Sequence, residues 1–340
     1  MKTAKGTDKV KIAVIGIGKL GKRHLTIWSQ LEGVEIVGVI GRNPEKLQVV
    51  GEQYGVQTFT SVEDLLATQE VDAFDICAPT DSHLMFVNQI AEASKHIICA
   101  KPLGVTSAEA EEMIAICEQN NVQLLVSHTL RFFPEYANAK EQVENGAIGR
   151  PGVIRMSRGV PYPSANREWY TDEQRSGGLF LDLGVHEFDW IQSTFGEVQR
   201  VMAKHVKHTE TSERSMEYGL VIMRMVDGTV VHVELSWAET KFRSSFELTG
   251  NKGMITYNHD ETNPVILDIH HDEPFVDLPK SMLRRDPFVR QLEHFLACLT
   301  EKAEPVVLAT DALAAIRIAE AAKKSAAEGQ PVILNEGGQR

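Results

Sequence analysis

Residues 10–21 read VKIAVIGIGKLG, and the fold of the first third of the chain follows from them. Residues 10–15 are a short apolar run, opened by lysines and closed by Gly16, as a strand buried on both faces of a parallel sheet should be. Gly16-Ile17-Gly18-Lys19-Leu20-Gly21 then places glycine at its first, third and sixth positions. That pattern alone is common. Here it follows a strand-type run and opens a helix-type run over 19–31, the context that gives it meaning. Gly16 permits a tight turn, Gly18 lets a pyrophosphate approach the backbone, and Gly21 lets helix and strand pack closely. The free N–H groups and positive end of the helix then suit a diphosphate, so Gly16, Gly18, Lys19, Leu20 and Gly21 are expected to bind a dinucleotide.

Strand-type runs recur at 35–40, 72–78, 96–99 and 123–126, with helix-type runs such as 107–118 between them. This alternation predicts an α/β domain, a Rossmann doubly wound parallel sheet. After Phe133 strand-type runs follow one another, at 152–158, 200–207, 218–225, 229–237, 244–249 and 253–257. Asp227-Gly228 between two of them is a hairpin signal. The second half therefore reads as an α+β domain around an open, mainly antiparallel sheet, followed by helices over 287–300 and 311–327. The expected domains are 1–127, binding NAD(P), and 128–340, binding substrate and carrying oligomer contacts. Val221, Met223, Met225, Val231, Val233 and Leu235 present more apolar surface than one layer of helices is expected to cover, which predicts a homodimer or homotetramer packed through this sheet.

At 340 residues the chain exceeds what one core usually supports, and two domains are the expectation. Its net charge of −12 makes nucleic acid and anionic membrane surfaces poor partners. Cys77, Cys99, Cys117 and Cys298 have no CxxC spacing and read as buried thiols of a reducing compartment. His270-His271-Asp272 lacks a third ligand at useful spacing, so no metal is expected. The polar, lysine-rich start followed by a short, glycine-interrupted apolar run is neither a signal peptide nor a membrane span, and the expected location is the cytoplasm.

An acidic residue normally ends the second strand of a dinucleotide fold and bonds the ribose 2′-hydroxyl. Here Gly41 and Arg42 stand in that place. No carboxylate repels a 2′-phosphate and a guanidinium can pair with one, so the cofactor reads as NAD(P) with a lean to NADP. The alternative is that Arg42 only stacks on adenine while NAD binds through the backbone.

At this point the chain resembles the Gfo/Idh/MocA oxidoreductases, which include glucose–fructose oxidoreductase and inositol dehydrogenases. The resemblance covers nearly the whole chain. It rests on Ala78-Pro79-Thr80 with His83, on Lys101-Pro102-Leu103, on Arg131-Phe132-Phe133-Pro134, on GAIGRP at 146–151, and on SGGLFLDLGVH at 176–186. It implies cofactor contacts from Ala78, Pro79, Thr80, His83, Lys101 and Pro102. The family's usual Glu-Lys-Pro is here Ala100-Lys101-Pro102, so the glutamate is replaced and the lysine kept. In the family that lysine reaches the reacting carbinol.

Read without the family, Lys101 is a solvated surface lysine, and an isolated Asp182/His186 pair is a capping aspartate and a core histidine. The resemblance implies instead that Lys101, Asp182 and His186 are catalytic and also contact substrate. Alcohol oxidation needs a base for the hydroxyl proton, and histidine titrates in the useful range. Gly184 between the two predicts a turn, not one continuous helix. The loop at 161–175 offers Tyr162, Asn166, Arg167, Trp169 and Tyr170 to a polyhydroxylated ring, with Arg131 beside them; an ordinary surface loop is the alternative. The expected activity is hydride transfer between a nicotinamide cofactor and a secondary alcohol of a sugar or cyclic polyol. An NAD-dependent glycosidase is the rival within the family, although its Gly-Gly-His-Gly-type signature is not evident. A non-enzymatic dinucleotide sensor is the rival outside it, disfavoured by retention of Lys101, Asp182 and His186.

Overall fold

The computed structural model describes residues 9–163, 168–208, 215–261, 265–269, 285–301 and 303–335. Along the first part of the chain run β1 (Val10–Ile15), α1 (Lys19–Trp28), β2 (Val34–Ile40), α2 (Pro44–Tyr54), β3 (Thr58–Phe59), α3 (Val62–Leu66), β4 (Ala73–Ile76), α4 (His83–Glu92), β5 (His96–Ala100), α5 (Ser107–Gln119) and β6 (Leu124–Ser127). Then come α6 (Pro134–Glu144), β7 (Pro151–Gly159), α7 (Glu168–Thr171), α8 (Glu173–Ser176), α9 (Gly178–Asp182), α10 (Val185–Phe195), β8 (Val198–His208), β9 (Met216–Met225), β10 (Val230–Ser236), β11 (Arg243–Gly250), β12 (Gly253–Asn258), β13 (Val265–Ile269), α11 (Pro287–Thr300), α12 (Ala309–Glu328) and β14 (Val332–Ile333). Among the described residues no helix is long and apolar enough to cross a membrane.

The chain forms two compact units. In the first, six parallel strands lie in the order β3-β2-β1-β4-β5-β6. The order reverses between β1 and β4, which makes their carboxyl ends the switch point of a doubly wound sheet. Helix boundaries follow local chemistry. Asn43 accepts a hydrogen bond from Lys46 N at 2.9 Å and Pro44 opens α2, while Gly55, at φ +65°, closes it in the left-handed region. The boundary read at 127/128 does not follow the unit division throughout: residues 285–310 group with the first unit and 105–107 with the second. Packing explains the larger departure, because Leu292, Phe295 and Cys298 of α11 share a core with Val10, Ile12, Leu25 and Trp28. Thr129 also donates to Gln291 Oε1 at 2.9 Å.

The second unit is built on eight strands in the order β13-β12-β11-β7-β10-β9-β8-β14. All pairings are antiparallel except β7 with β10. Asp227 and Gly228 make the β9–β10 turn, with Gly228 at φ +95°. The expectation that Val221, Met223, Met225, Val231, Val233 and Leu235 exceed what helices cover is corrected here: all six are fully buried within the chain. A Cβ on Gly219 of β9 would sit 2.7 Å from the Phe180 ring of α9, and one on Gly184 would sit 2.8 Å from Leu235. Helices α9 and α10 thus lie directly on that face. The opposite face is the exposed one, with Met216, Ile222 and Val206 partly open to solvent.

Candidate active site

The tight turn and the close strand–helix contact read from the glycines are present. Gly16 sits at φ +98°, and a Cβ there would lie 2.6 Å from the Cys77 carbonyl oxygen. A Cβ on Gly21 would fall on the Gly16 carbonyl oxygen, so strand and helix are at backbone contact. Gly18 is the cap residue of α1, with extended backbone and no side-chain cap, and nothing lies within 4 Å of where its Cβ would be. The first turn of α1 carries no acidic residue. Lys19 is exposed, Leu20 half-buried and Gly21 buried. Open space, uncapped N–H groups and the positive helix end together make a cradle that fits a dinucleotide diphosphate. At the end of β2, Gly41 N donates to Phe59 O at 3.2 Å, and Arg42 beside it is exposed.

The loops after β4 and β5 are tied together by His83. Its Nε2 lies 3.0 Å from Ala78 O, and its Nδ1 lies 3.1 Å from both Pro102 O and Leu103 O. Burial holds the imidazole below the usual histidine pKa, against the carbonyls that favour its protonated form. His83 therefore organises the loops, and both ring nitrogens are taken by the backbone. Thr80 is buried in the first loop, with Ala78 and Pro79 half-buried before it. Lys101 follows β5 and is half-buried, Pro102 is buried, and the peptide between them is cis.

In the second unit Asp182 is the last residue of α9, and Val185 opens α10. Gly184 stands between, where a Cβ would strike the Phe180 carbonyl oxygen. The predicted turn is present. His186 lies in the first turn of α10, and both it and Asp182 are half-buried. Among the ties that hold α10 are Glu187 to Arg158 Nε, Asp189 to Arg131, Trp190 Nε1 to Tyr136 O at 3.2 Å, and Lys140 Nζ to Ser193 O at 2.6 Å.

Arg131, expected to contact substrate, is corrected to a structural role. Its Nε and Nη2 donate to Asp189 at 2.8 and 2.6 Å, and its Nη1 lies 3.0 Å from Asp311 Oδ2. With 8% of its side chain exposed, the guanidinium is committed to two carboxylates. Tyr162 is half-buried, edge-on to Trp237 at 6.2 Å, and burial with the nearby Glu217 charge raises its phenol. The Trp169 and Tyr170 rings lie 3.9 Å apart. Asn166, Arg167 and the His270-His271-Asp272 run lie outside the described residues.

Sequence reasoning missed three features. One is the buried Arg158–Glu187 pair under α10. Another is Glu217, held between Lys207 Nζ at 3.0 Å and His205 Nε2 at 3.4 Å. The third is a polar cluster around Asp75 beneath the glycine turn. Only Glu187 had a signal, a charge adjoining His186; the other partners are brought together by strand and helix pairing.

Residues 10–128 match the family described as "Oxidoreductase family, NAD-binding Rossmann fold", and residues 136–256 match the "GFO/IDH/MocA C-terminal domain". The chain is 30% identical over 336 residues to a myo-inositol 2-dehydrogenase of Thermotoga maritima, covering 96% of this chain and 99% of the relative. It is 26% identical to a D-apiose dehydrogenase of Paraburkholderia graminis, covering 98% and 92%. Among solved structures, myo-inositol 2-dehydrogenase from Lactobacillus plantarum superposes with a TM-score of 0.81 at 25% identity, covering 96% of this chain and 100% of the other.

Proposed function

The chain belongs to the Gfo/Idh/MocA oxidoreductase family, and from that premise we propose that it is a dehydrogenase of a secondary alcohol on a sugar or cyclic polyol. The observation that carries the reading is the α9–Gly184–α10 turn, which presents Asp182 and His186 half-buried at adjoining helix ends. The polyhydroxylated substrates named for the relatives support the substrate class.

A bound nicotinamide supplies the hydride acceptor. The residues of the chain manage the proton and the geometry. His186 accepts the hydroxyl proton as the carbinol becomes a ketone, and Asp182 orients the imidazole or bonds the substrate. Lys101 bonds the reacting hydroxyl or relays its proton. Tyr162, Trp169 and Tyr170 offer ring faces and polar edges to the substrate. The glycine cradle takes the diphosphate, and the loops joined by His83 flank it through Ala78, Pro79, Thr80 and Pro102. Gly41 and Arg42 favour NADP over NAD. Copies associate through the exposed face of the second sheet.

The test is a panel of inositols, free sugars, sugar phosphates and nucleotide sugars, each with both oxidised dinucleotides. At least one free polyol or sugar should give reduced dinucleotide and a ketone in equal amounts. Cleavage of a glycoside with no net change in dinucleotide redox state would replace this reading with the glycosidase one. A panel without turnover, in protein that binds dinucleotide, would favour a sensor.

A further inference from the structure

Asp75 is a carboxylate in the middle of the four-residue strand β4, and it is fully buried. Its register neighbours are Val14 on β1 and Ile98 on β5, so it stands between two apolar strands at the switch point. A charge in such a place is costly unless donors surround it. Two of its donors come from one helix. His24 Nδ1 and Trp28 Nε1, one turn apart on α1 and both fully buried, lie 2.8 Å from the same oxygen, Oδ2. The third is Cys77, whose Sγ is 3.5 Å from Oδ1. Burial, with the adjoining Asp75 charge, holds that thiol far above its usual pKa, so it stays S–H and donates. His24 Nε2 is buried without a hydrogen-bond partner among the described residues, so Nδ1, which faces the carboxylate, is the ring nitrogen engaged with Asp75.

The folding of a Rossmann unit does not require this arrangement, since Val or Leu in β4 would pack without any donor. An apolar contact lets a helix slide or roll, whereas two ring N–H groups on one carboxylate oxygen fix its height and rotation. The helix so fixed is the one whose N-terminus forms the cradle. The turn that precedes it lies against the same strand end, because a Cβ on Gly16 would meet the Cys77 carbonyl and Gly21 lies against Cys77 Cβ.

We infer that Asp75 is a positioning residue for the dinucleotide: through His24 and Trp28 it sets where the N-terminus of α1 meets the diphosphate. The inference rests on dinucleotide binding alone and not on the identity of the alcohol.

The experiment titrates purified full-length protein with ADP-ribose and with reduced dinucleotide by calorimetry, so it needs no substrate. Asp75→Ala removes the acceptor for both rings and should weaken ADP-ribose about 10-fold or more, the scale of losing hydrogen bonds to a charged group. Asp75→Asn keeps an oxygen that accepts from both rings, so its affinity should return to within about threefold of the parent. Trp28→Phe removes one donor and should cause a smaller loss, and it covers the case in which Asp75→Ala does not fold. In turnover, KM for the dinucleotide should rise while kcat stays within about threefold, a split that general loosening would not give. Folded Asp75→Ala with unchanged ADP-ribose affinity would overturn the inference. So would an Asn variant as weak as the Ala one, or, if Asp75→Ala does not fold, unchanged affinity in Trp28→Phe. Failure of the polyol panel with these affinities behaving as stated would count against the proposed substrate class and leave the role of Asp75 standing.

Discussion

Gly41 offers no side chain to oppose a 2′-phosphate, and the exposed Arg42 beside it offers a guanidinium to bind one. KM should therefore be lower for NADP than for NAD, and Arg42→Ala should narrow the gap. Gly41→Asp should turn preference toward NAD, since a carboxylate accepts from a 2′-hydroxyl and repels a 2′-phosphate. The new Cβ would meet Leu47 Cδ2 at 3.1 Å, a flexible side-chain end that can give way. Steady-state kinetics with both cofactors checks this, and equal or better use of NAD by the parent enzyme would refute it. At this scale, residues whose chemistry is local were legible. The three glycines of the turn need only the backbone around them, and the turn and the strand–helix contact expected of Gly16 and Gly21 are there. Arg131 was misread because the carboxylates that claim it, Asp189 and Asp311, are remote in sequence. Asp75 was passed over because a single charge in an apolar run gives no hint of donors on a helix some fifty residues earlier.

Periodicity revealed most elements, since a six-strand parallel sheet announces itself through alternating strand and helix runs. The short β3 and β14, two residues each, carry too little pattern to stand out. The burial of β9 and β10 was misjudged for a related reason. Helix α9 is five residues, too short to show a helical stripe, so the cover it and α10 provide was undercounted. On the same inner face Glu217 is 1% exposed and paired with Lys207 and His205. Burial would raise its carboxyl, but the adjoining His205 and Lys207 outweigh that and hold it below the ordinary value of 4.5. A carboxyl lowered in the folded state stabilises above its unfolded pKa and loses that contribution as pH falls through the folded one. Glu217→Gln should thus cost about 1–3 kcal/mol at neutral pH, the scale of hydrogen bonds to a charged group. The cost should shrink as the parent is acidified below the glutamate range. Denaturant melts of both proteins across pH check this, and a cost independent of pH would show that the charge contributes nothing.

The first unit carries the NAD-binding Rossmann fold and the second carries Asp182 and His186. The division was legible from the change of pattern after Phe133, but the return of α11 to the first unit was not, because its core partners lie at the other end of the chain. Association is expected through the sheet face that exposes Ile222, Met216 and Val206, not through the inner face first suspected. Light scattering at micromolar concentration should find a dimer or tetramer, and Ile222→Glu should shift it toward monomer. A monomeric parent protein would refute this.

His186 is expected to take the proton of the oxidised hydroxyl. Positioned acid–base groups supply about 10²–10⁴-fold, so His186→Ala should lose at least about 100-fold in kcat while cofactor affinity changes little. The direct measurement is kcat for alcohol oxidation against pH, in the parent and in His186→Ala, on the polyol that the panel identifies. The parent rate should rise with pH as the imidazole loses its proton, and the variant should be slow and no longer follow that rise. Near-normal kcat in His186→Ala with an unchanged pH profile would contradict it, and would mean that the proton leaves by another route.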